Sequence, residues 1–347
     1  MLSGGTGGAR FLRGLRSAYP EADITVVANT GDDIWLFGLK VCPDLDTVMY
    51  TLGGGIHEGQ GWGRADETFS VKAELAAYGA QPQWFGLGDR DLATHLVRRE
   101  MLDAGYPLSA VTAALCTRWQ PGVTLLPMSD DRTETHVVID DPDTGPQARK
   151  AIHFQEWWIK HRAALTAHDF VLVGAETARP GPGVVEAIRG ADVVILPPSN
   201  PVVSVGTILS VPGIREALRS TDAPIVGVSP IVAGRPLRGM ADACLAAIGV
   251  QTTARAVAEH YGARHRSVGH QLGSSGAGVL DGWVVDSSDS DAVEPLEALG
   301  MAARAVPAIM SDVDTAAALA RETMALAEQV SRDWRSVSAP GDLRLGL

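Results

Sequence analysis

Residues 3–10 read SGGTGGAR, and the chain continues through an amphipathic segment, ARFLRGLRSA, to a β-branched run, ITVVAN at 24–29. Phe11, Leu12 and Leu15 fall on one face of that segment with arginines between them, and Pro20 closes it, so it reads as a helix. Loop, helix and strand in that order are most of a β-loop-α-β unit, which points to a parallel sheet because a crossover helix joins parallel neighbours. Only Met1 and Leu2 stand before this stretch, so the first strand is short, and the natural start is expected a few codons upstream.

The glycines match neither standard phosphate loop. Counted from Gly5, the dinucleotide fingerprint finds Gly5 and Gly7 but Arg10 at its sixth position, and the Gly-Lys-Ser/Thr of a Walker A loop is missing. Spacing alone therefore leaves a plain tight turn open. The helix that follows favours the other reading, since its exposed N–H groups and positive dipole end attract an anion.

Further short apolar runs, FVLVG (170–174), DVVILPPS (192–199) and PIVGVSP (224–230), suit parallel strands buried on both faces. Helical stretches GVVEAIRG (183–190) and IREALRS (214–220) alternate with them. The expected fold is α/β, Rossmann-like, with a mostly parallel doubly wound sheet. A largely helical insertion at about 68–165 ends in a small β-hairpin, THVVID (135–140) with KAIHFQEWW (150–158). One domain is expected over 1–310, a last helix over 311–331, a disordered tail over 332–347, and a mobile Gly/Ser-rich loop at 265–278.

Charge narrows the function. With 29 Lys+Arg against 41 Asp+Glu, the net of -12 lacks the basic footprint of a nucleic-acid binder. Cys42, Cys116 and Cys244 are odd in number and far apart, which supports neither a disulfide framework nor a CxxC metal site. There is no apolar run near membrane length and no signal-peptide order, so a cytoplasmic location without membrane contact is expected.

Four stretches carry candidate chemistry. Gly5, Thr6, Gly7 and Gly8 form the glycine turn. In CPDLDTVMYTLGGG (42–55), Asp44 and Asp46 would suit Mg²⁺ beside a phosphate, or one of them would accept a proton. On the letters alone, capping of the TVMYTL helix by Asp46 is the stronger reading. In GLGDRDLATHL (86–96), Gly88, Asp89, Arg90 and Asp91 offer either a cap and a guanidinium fork for an anion, or an internal ion pair. Ser199 and Asn200 in LPPSNP, and Ser229, Arg235 and Arg238 in SPIVAGRPLRG, lie at strand exits, where open α/β sheets bind ligands.

Taken together and in order, SGGTGGARFL, ANTGDD, CPDLDTVMYTLGGG, WFGLGDRDLATHLVR, LLPMSDD, IHFQEWW, PPSNPVVS and SPIVAGRPLRGMAD resemble the 2-phospho-L-lactate transferase family, most closely its actinobacterial phosphoenolpyruvate transferase branch. The resemblance runs from about Ser3 to Ile309. It implies transfer of a phosphoenolpyruvyl group from enolpyruvyl-diphospho-5′-guanosine to the ribityl hydroxyl of the deazaflavin Fo, giving dehydro coenzyme F420-0 and GMP. It also implies Mg²⁺ and a homodimer; relatives in archaea use a lactyl donor. Carried onto this chain, Asp44 and Asp46 would hold the metal, which overrides the capping reading, and Gly88 to Asp91 would line the Fo side. The turn Gly5–Gly8, Asn29, Ser199, Asn200, Ser229, Arg235 and Arg238 would hold the diphosphate and guanosine.

Two rivals remain from other classes. A nucleotide-sugar-binding regulator without turnover has less use for paired carboxylates, and a dinucleotide oxidoreductase is weakened by Arg10 in the sixth position.

Overall fold

The computed structural model describes residues 1–142, 144–264 and 278–338. In chain order come β1 (Leu2–Ser3), α1 (Thr6–Ala18), β2 (Thr25–Ala28), β3 (Ile34–Leu36), β4 (Leu39–Val41) and α2 (Pro43–Leu52). Three helices follow, α3 (Ser70–Ala77), α4 (Asp89–Asp103) and α5 (Leu108–Trp119), and then β5 (Thr124–Pro127). The strands β6 (Glu134–Asp141), β7 (Gly145–His153) and β8 (Ala167–Val173) lead to α6 (Val184–Arg189), β9 (Val194–Leu196), α7 (Val205–Ser210), α8 (Ile214–Ser220) and β10 (Ile225–Val228). Next are β11 (Ile231–Val232), β12 (Arg235–Pro236), α9 (Ala241–Ala247), α10 (Ala254–Tyr261), β13 (Gly282–Asp286), α11 (Val293–Ala298), β14 (Ala302–Val306) and α12 (Val313–Ser338).

Seven of these strands build the centre. They form two parallel sheets ordered β1-β2-β5 and β14-β13-β10-β9, and β1 lies beside β9, so the two sheets meet at the first strand. Along each strand the side chains alternate between two separate cores. Leu196, Ile225, Trp283 and Val285 pack with α6, α7, α8, α10 and α11, whereas Ile195, Val226, Val228 and Val284 pack with α1, α2, α5 and α12. Strands covered on both faces explain their continuous apolar runs, and the doubly wound α/β fold expected from sequence is the one observed.

The FVLVG run departs from expectation. It forms β8, an antiparallel edge strand on β6, with Val137 opposite Phe170, and it leaves Val171 and Val173 exposed. A short unbroken apolar run cannot report how many of its faces are covered. The expected hairpin is accordingly two strands of a three-stranded sheet, β7-β6-β8, and after His153 its second strand gives way to a helical turn at Glu156–Lys160. The last helix continues to Ser338, past the boundary expected at 331. Of the expected mobile loop, residues 265–277 lie outside the described residues, as do 339–347 of the expected tail.

All seven central strands deliver their carboxyl ends to one side of the molecule, where Gly4, Asn29, Ser199, Ser229 and Ala308 follow β1, β2, β9, β10 and β14. No helix among the described residues is long and apolar enough to cross a membrane.

Candidate functional site

The glycine turn is built for close approach. α1 begins at Thr6 with no side-chain cap and no acidic residue in its first turn, so its leading N–H groups are left for another acceptor. A Cβ at Gly5 would stand 2.5 Å from Asp44 Oδ1, and one at Gly7 would collide with the carbonyl oxygen of Pro198. Neither has a positive φ, so bare backbone against a neighbour, rather than turn geometry, requires glycine here. The Gly4 N–H donates to Ser199 Oγ at 3.2 Å, which ties the turn to the strand exit at 197–200. Gly7→Ala is expected to cost about 1–3 kcal/mol by overpacking against that immobile carbonyl. The shift of its urea midpoint measures the cost, and an unchanged midpoint would mean that the two segments are free to part.

Beside the turn lie two carboxylates. Asp44 opens α2, and Asn29 at the end of β2 holds it, with Nδ2 donating to Asp44 Oδ2 at 2.9 Å and to the Val203 carbonyl at 3.2 Å. Burial pushes the Asp44 carboxyl up to about 6, against the hydrogen bond from Asn29. Asp32, buried directly after the Asn29-Gly31 turn, is also raised, first by burial and then by the charge of Asp44. Its Oδ1 has no hydrogen-bond partner. Asp32 is buried and Asp44 half-buried, and their unpaired oxygen and mutual repulsion make them two hard oxygen donors that could hold a divalent cation.

Asp46 stands elsewhere. The PDLD stretch is helical, and residues two apart on a helix are about 200° apart around its axis, so Asp44 and Asp46 face opposite ways. Asp46 is buried against α4, where its Oδ1 accepts from Arg98 Nη2. Arg98 Nη1 also donates to the Lys40 carbonyl at 3.1 Å and lies 3.0 Å from His95 Nδ1. Burial works against the Arg98 charge, but Asp46 outweighs it, and the guanidinium is held more firmly protonated than usual. The geometry thus moves Asp46 from the metal pair expected of it to an ion pair that docks α2 on α4.

The LGDRD segment is likewise turned to structure. Asp89 accepts from the Ser70 and Val71 N–H groups at 2.9 and 3.0 Å and from Thr68 Oγ1 at 2.6 Å, capping α3. Asp91 accepts from the Tyr50 hydroxyl at 2.6 Å and lies 3.3 Å from His95 Nε2. The exposed Arg90 guanidinium stands 3.9 Å from Asp66, while a Cβ on Gly88 would run into Glu67. None of the four lines the cleft described next. The Thr68 hydroxyl and the Val71 N–H hold Asp89 down at about 2. A depressed folded-state value contributes stability above the unfolded value of about 4, and the contribution is lost as pH falls from there towards 2. Asp89→Asn should therefore remove that part of the acid-unfolding curve; an unchanged curve would mean that these contacts do not hold Asp89 down.

A cleft of about 920 Å³ spans the carboxyl ends of the strands. Of the residues singled out from sequence, Gly5, Thr6, Gly7, Asp44, Ser199, Asn200, Ser229 and Arg238 line it. Gly8 and Asn29 stand behind the wall, Gly8 against Ser3 and Ser199 and Asn29 against Asp44; exposed Arg235 is not a lining residue. Sequence reading missed Asp32 and Arg10, and an aromatic set of Trp62, Phe85, Phe154 and Trp158 on the walls. Asp32 had a signal, since it closes the polar exit Asn29-Thr30-Gly31-Asp32 of a strand; the aromatics are far apart in sequence and converge only in the fold. Among the described residues no group of three or more His, Cys, Asp and Glu side chains could hold a metal.

A family model described as 2-phospho-L-lactate transferase CofD matches residues 1–327. A phosphoenolpyruvate transferase of Streptomyces griseus is 64% identical over 330 residues, covering 95% of this chain and 98% of the relative. Others so named are 59% identical in Thermobifida fusca (94% and 97% covered) and 57% identical in Nocardia farcinica (94% of each). Among solved structures, a UPF0052 family protein of Bacillus halodurans is similar with a TM-score of 0.58 at 19% identity, over 93% of this chain and 97% of that one, a likeness of fold.

Proposed function

This chain belongs to the 2-phospho-L-lactate transferase CofD family, and from that premise we infer that it is a phosphoenolpyruvate transferase of coenzyme F420 biosynthesis. The donor is enolpyruvyl-2-diphospho-5′-guanosine, and the acceptor is the terminal ribityl hydroxyl of Fo. The hydroxyl oxygen forms a new bond to the phosphorus that carries the enolpyruvyl group, the bond from that phosphorus to the bridging oxygen breaks, the hydroxyl proton is lost, and GMP leaves. The product is dehydro coenzyme F420-0. The observation that carries this reading is the Asp32 and Asp44 pair set against the glycine turn in a cleft large enough for two substrates. A binding protein without turnover has less use for two carboxyls raised by their surroundings at that place.

Mg²⁺ fits this pair, because the orphaned Asp32 Oδ1 and the Asp44 carboxylate offer hard oxygen ligands in a pocket that disfavours their negative charge. When bound, it supplies charge neutralisation on the phosphoryl oxygens. Asn29 orients Asp44, and the leading N–H groups of α1 stand ready for phosphoryl oxygens in the manner of other helix N-termini. Phe85, Phe154, Trp62 and Trp158 give apolar faces suited to the flat deazaflavin and guanine rings and keep water from the reacting bond. Transfer at phosphorus depends on positioning and charge stabilisation more than on a covalent nucleophile, and no activated Ser or Cys is needed.

A cytoplasmic enzyme acting as a homodimer accords with this reading. α3 has no buried residue and, with its flanks, leaves Phe69, Val71 and Tyr78 exposed, which favours a covering subunit. The decisive experiment incubates the purified chain with Fo, Mg²⁺ and the enolpyruvyl donor and follows the deazaflavin by mass spectrometry. A mass gain of one phosphoenolpyruvyl group supports the assignment; product only with the lactyl donor would move the chain to the lactyl branch, and no product with either would end it.

A further inference from the structure

α1 carries Thr6 and Arg10 four residues apart, hence on one side of the helix and about 6 Å apart along its axis. Both line the cleft, and so does Arg238, from the loop after β12. The segment 57–63 bridges them. Thr6 Oγ1 donates to the Gly61 carbonyl at 3.0 Å, and Arg238 Nη1 donates to the Gln60 carbonyl at 3.2 Å. A Cβ at Gly61 would stand 3.2 Å from Arg238 Nη1 and 3.9 Å from Arg10 Nη2, so the two guanidinium groups meet beneath one backbone turn.

Among the described residues neither guanidinium has a carboxylate of its own. Glu58, the acidic group that Arg10 feels, is already gripped by Arg13 through two hydrogen bonds of 3.1 and 2.8 Å. Among the described residues no carboxylate lies within ion-pair distance of Arg10 or Arg238. Burial and then the charge of Arg238 weaken the hold of Arg10 on its proton. Two neighbouring cations on the wall of a cleft are favourable only when an anion joins them.

We propose that Arg10 and Arg238 form a clamp for the carboxylate of the donor's three-carbon acid, an inference that rests on the transfer reading above. The glycine turn and the Asp32 and Asp44 pair already account for the diphosphate. Arg10 leaves α1 one helical turn beyond Thr6, and with the diphosphate held by the turn and the pair, the one anionic group left on the donor is its carboxylate. A planar guanidinium fork matches a carboxylate through two parallel hydrogen bonds. The clamp explains selection for an acid over a neutral three-carbon group, and it is indifferent to the two hydrogens that separate enolpyruvyl from lactyl.

The test uses the full chain with Fo, Mg²⁺ and the enolpyruvyl donor in steady state, with GDP as an inhibitor that has both phosphates and no carboxylate. Arg10→Gln and Arg238→Gln should each raise the donor KM about 10–100-fold, the worth of a charged hydrogen bond, with a smaller fall in kcat. The inhibition constant of GDP should stay near that of wild type, and Arg10→Lys should recover part of the loss. An unchanged donor KM in both glutamine variants overturns the clamp. So does a GDP inhibition constant that rises in step with the donor KM, since the arginines would then serve the diphosphate. A wild-type chain that makes no product sinks the transfer reading, and the clamp with it, whereas the other two results sink the clamp alone.

Discussion

Asp44→Asn is expected to lower kcat by roughly 10²–10³-fold, the scale of losing one preorganised electrostatic partner of a transition state, while the protein melts no earlier than wild type. Asp44 makes its contacts with Asn29 and the Gly5 backbone, and burial raises its carboxyl to about 6, so the charged form is disfavoured where it stands. Removing the charge relieves its repulsion of Asp32 and leaves packing intact, because the amide is nearly isosteric. Asp32→Asn should act alike. Loss of turnover without loss of stability is the signature of a residue retained for chemistry. Kinetics and thermal melting on the same preparations decide it: near-normal kcat in both variants would return the pair to a structural role, and a large fall in melting temperature would make the kinetic loss uninformative.

Arg98→Leu is expected to show the reverse, a loss of about 3–5 kcal/mol in folding stability, since it leaves the Asp46 carboxylate buried without its partner. Arg98 and His95 are almost wholly inaccessible, at 2% and 1% exposure, and Asp46 is little more open at 5%. The Arg98 guanidinium also satisfies the Lys40 carbonyl, so the variant strands two acceptors at once. For a domain whose total stability is of order 5–15 kcal/mol, the loss is large. The double variant Asp46→Leu with Arg98→Leu should regain much of it, because replacing a buried pair by apolar side chains is far less costly than breaking it. Urea unfolding of the single and double variants measures both effects. If Arg98→Leu unfolds at the wild-type midpoint, the pair does not hold α2 to α4.

The contrast between the two aspartates shows where sequence reading stopped. Asp44 and Asp46 are equivalent as letters in PDLD, and an extended segment would place both on one side. The segment is instead a helix with Pro43 in its first turn, and helical spacing turns one carboxylate to the cleft and the other to Arg98, 52 residues away. LGDRD lies outside the cleft for a related reason. Its residues cap α3 and pair with Tyr50, contacts that depend on how α3 and α2 pack beside α4. The strands at 194–196 and 225–228 were legible because β-branched runs between helices leave few alternatives, while FVLVG looked the same and became an edge strand, paired with β6 alone and covered on one face by α9.

By itself the sequence determined the alternation of strands and helices, the glycine turn ahead of α1, the polar strand exits at Asn29, Ser199 and Ser229, and, through the order of its motifs, the family. Those features are local, set by side-chain branching, periodicity and the absence of a Cβ, and no distant partner is needed to read them. Tertiary structure alone decided that Asp32 joins Asp44, that Asp46 does not, and that Arg10 meets Arg238 beneath Gly61. Each of these depends on the angular position of a residue on its helix and on the packing of that helix against the sheet, and residues far apart in the chain share one cleft only after both are settled.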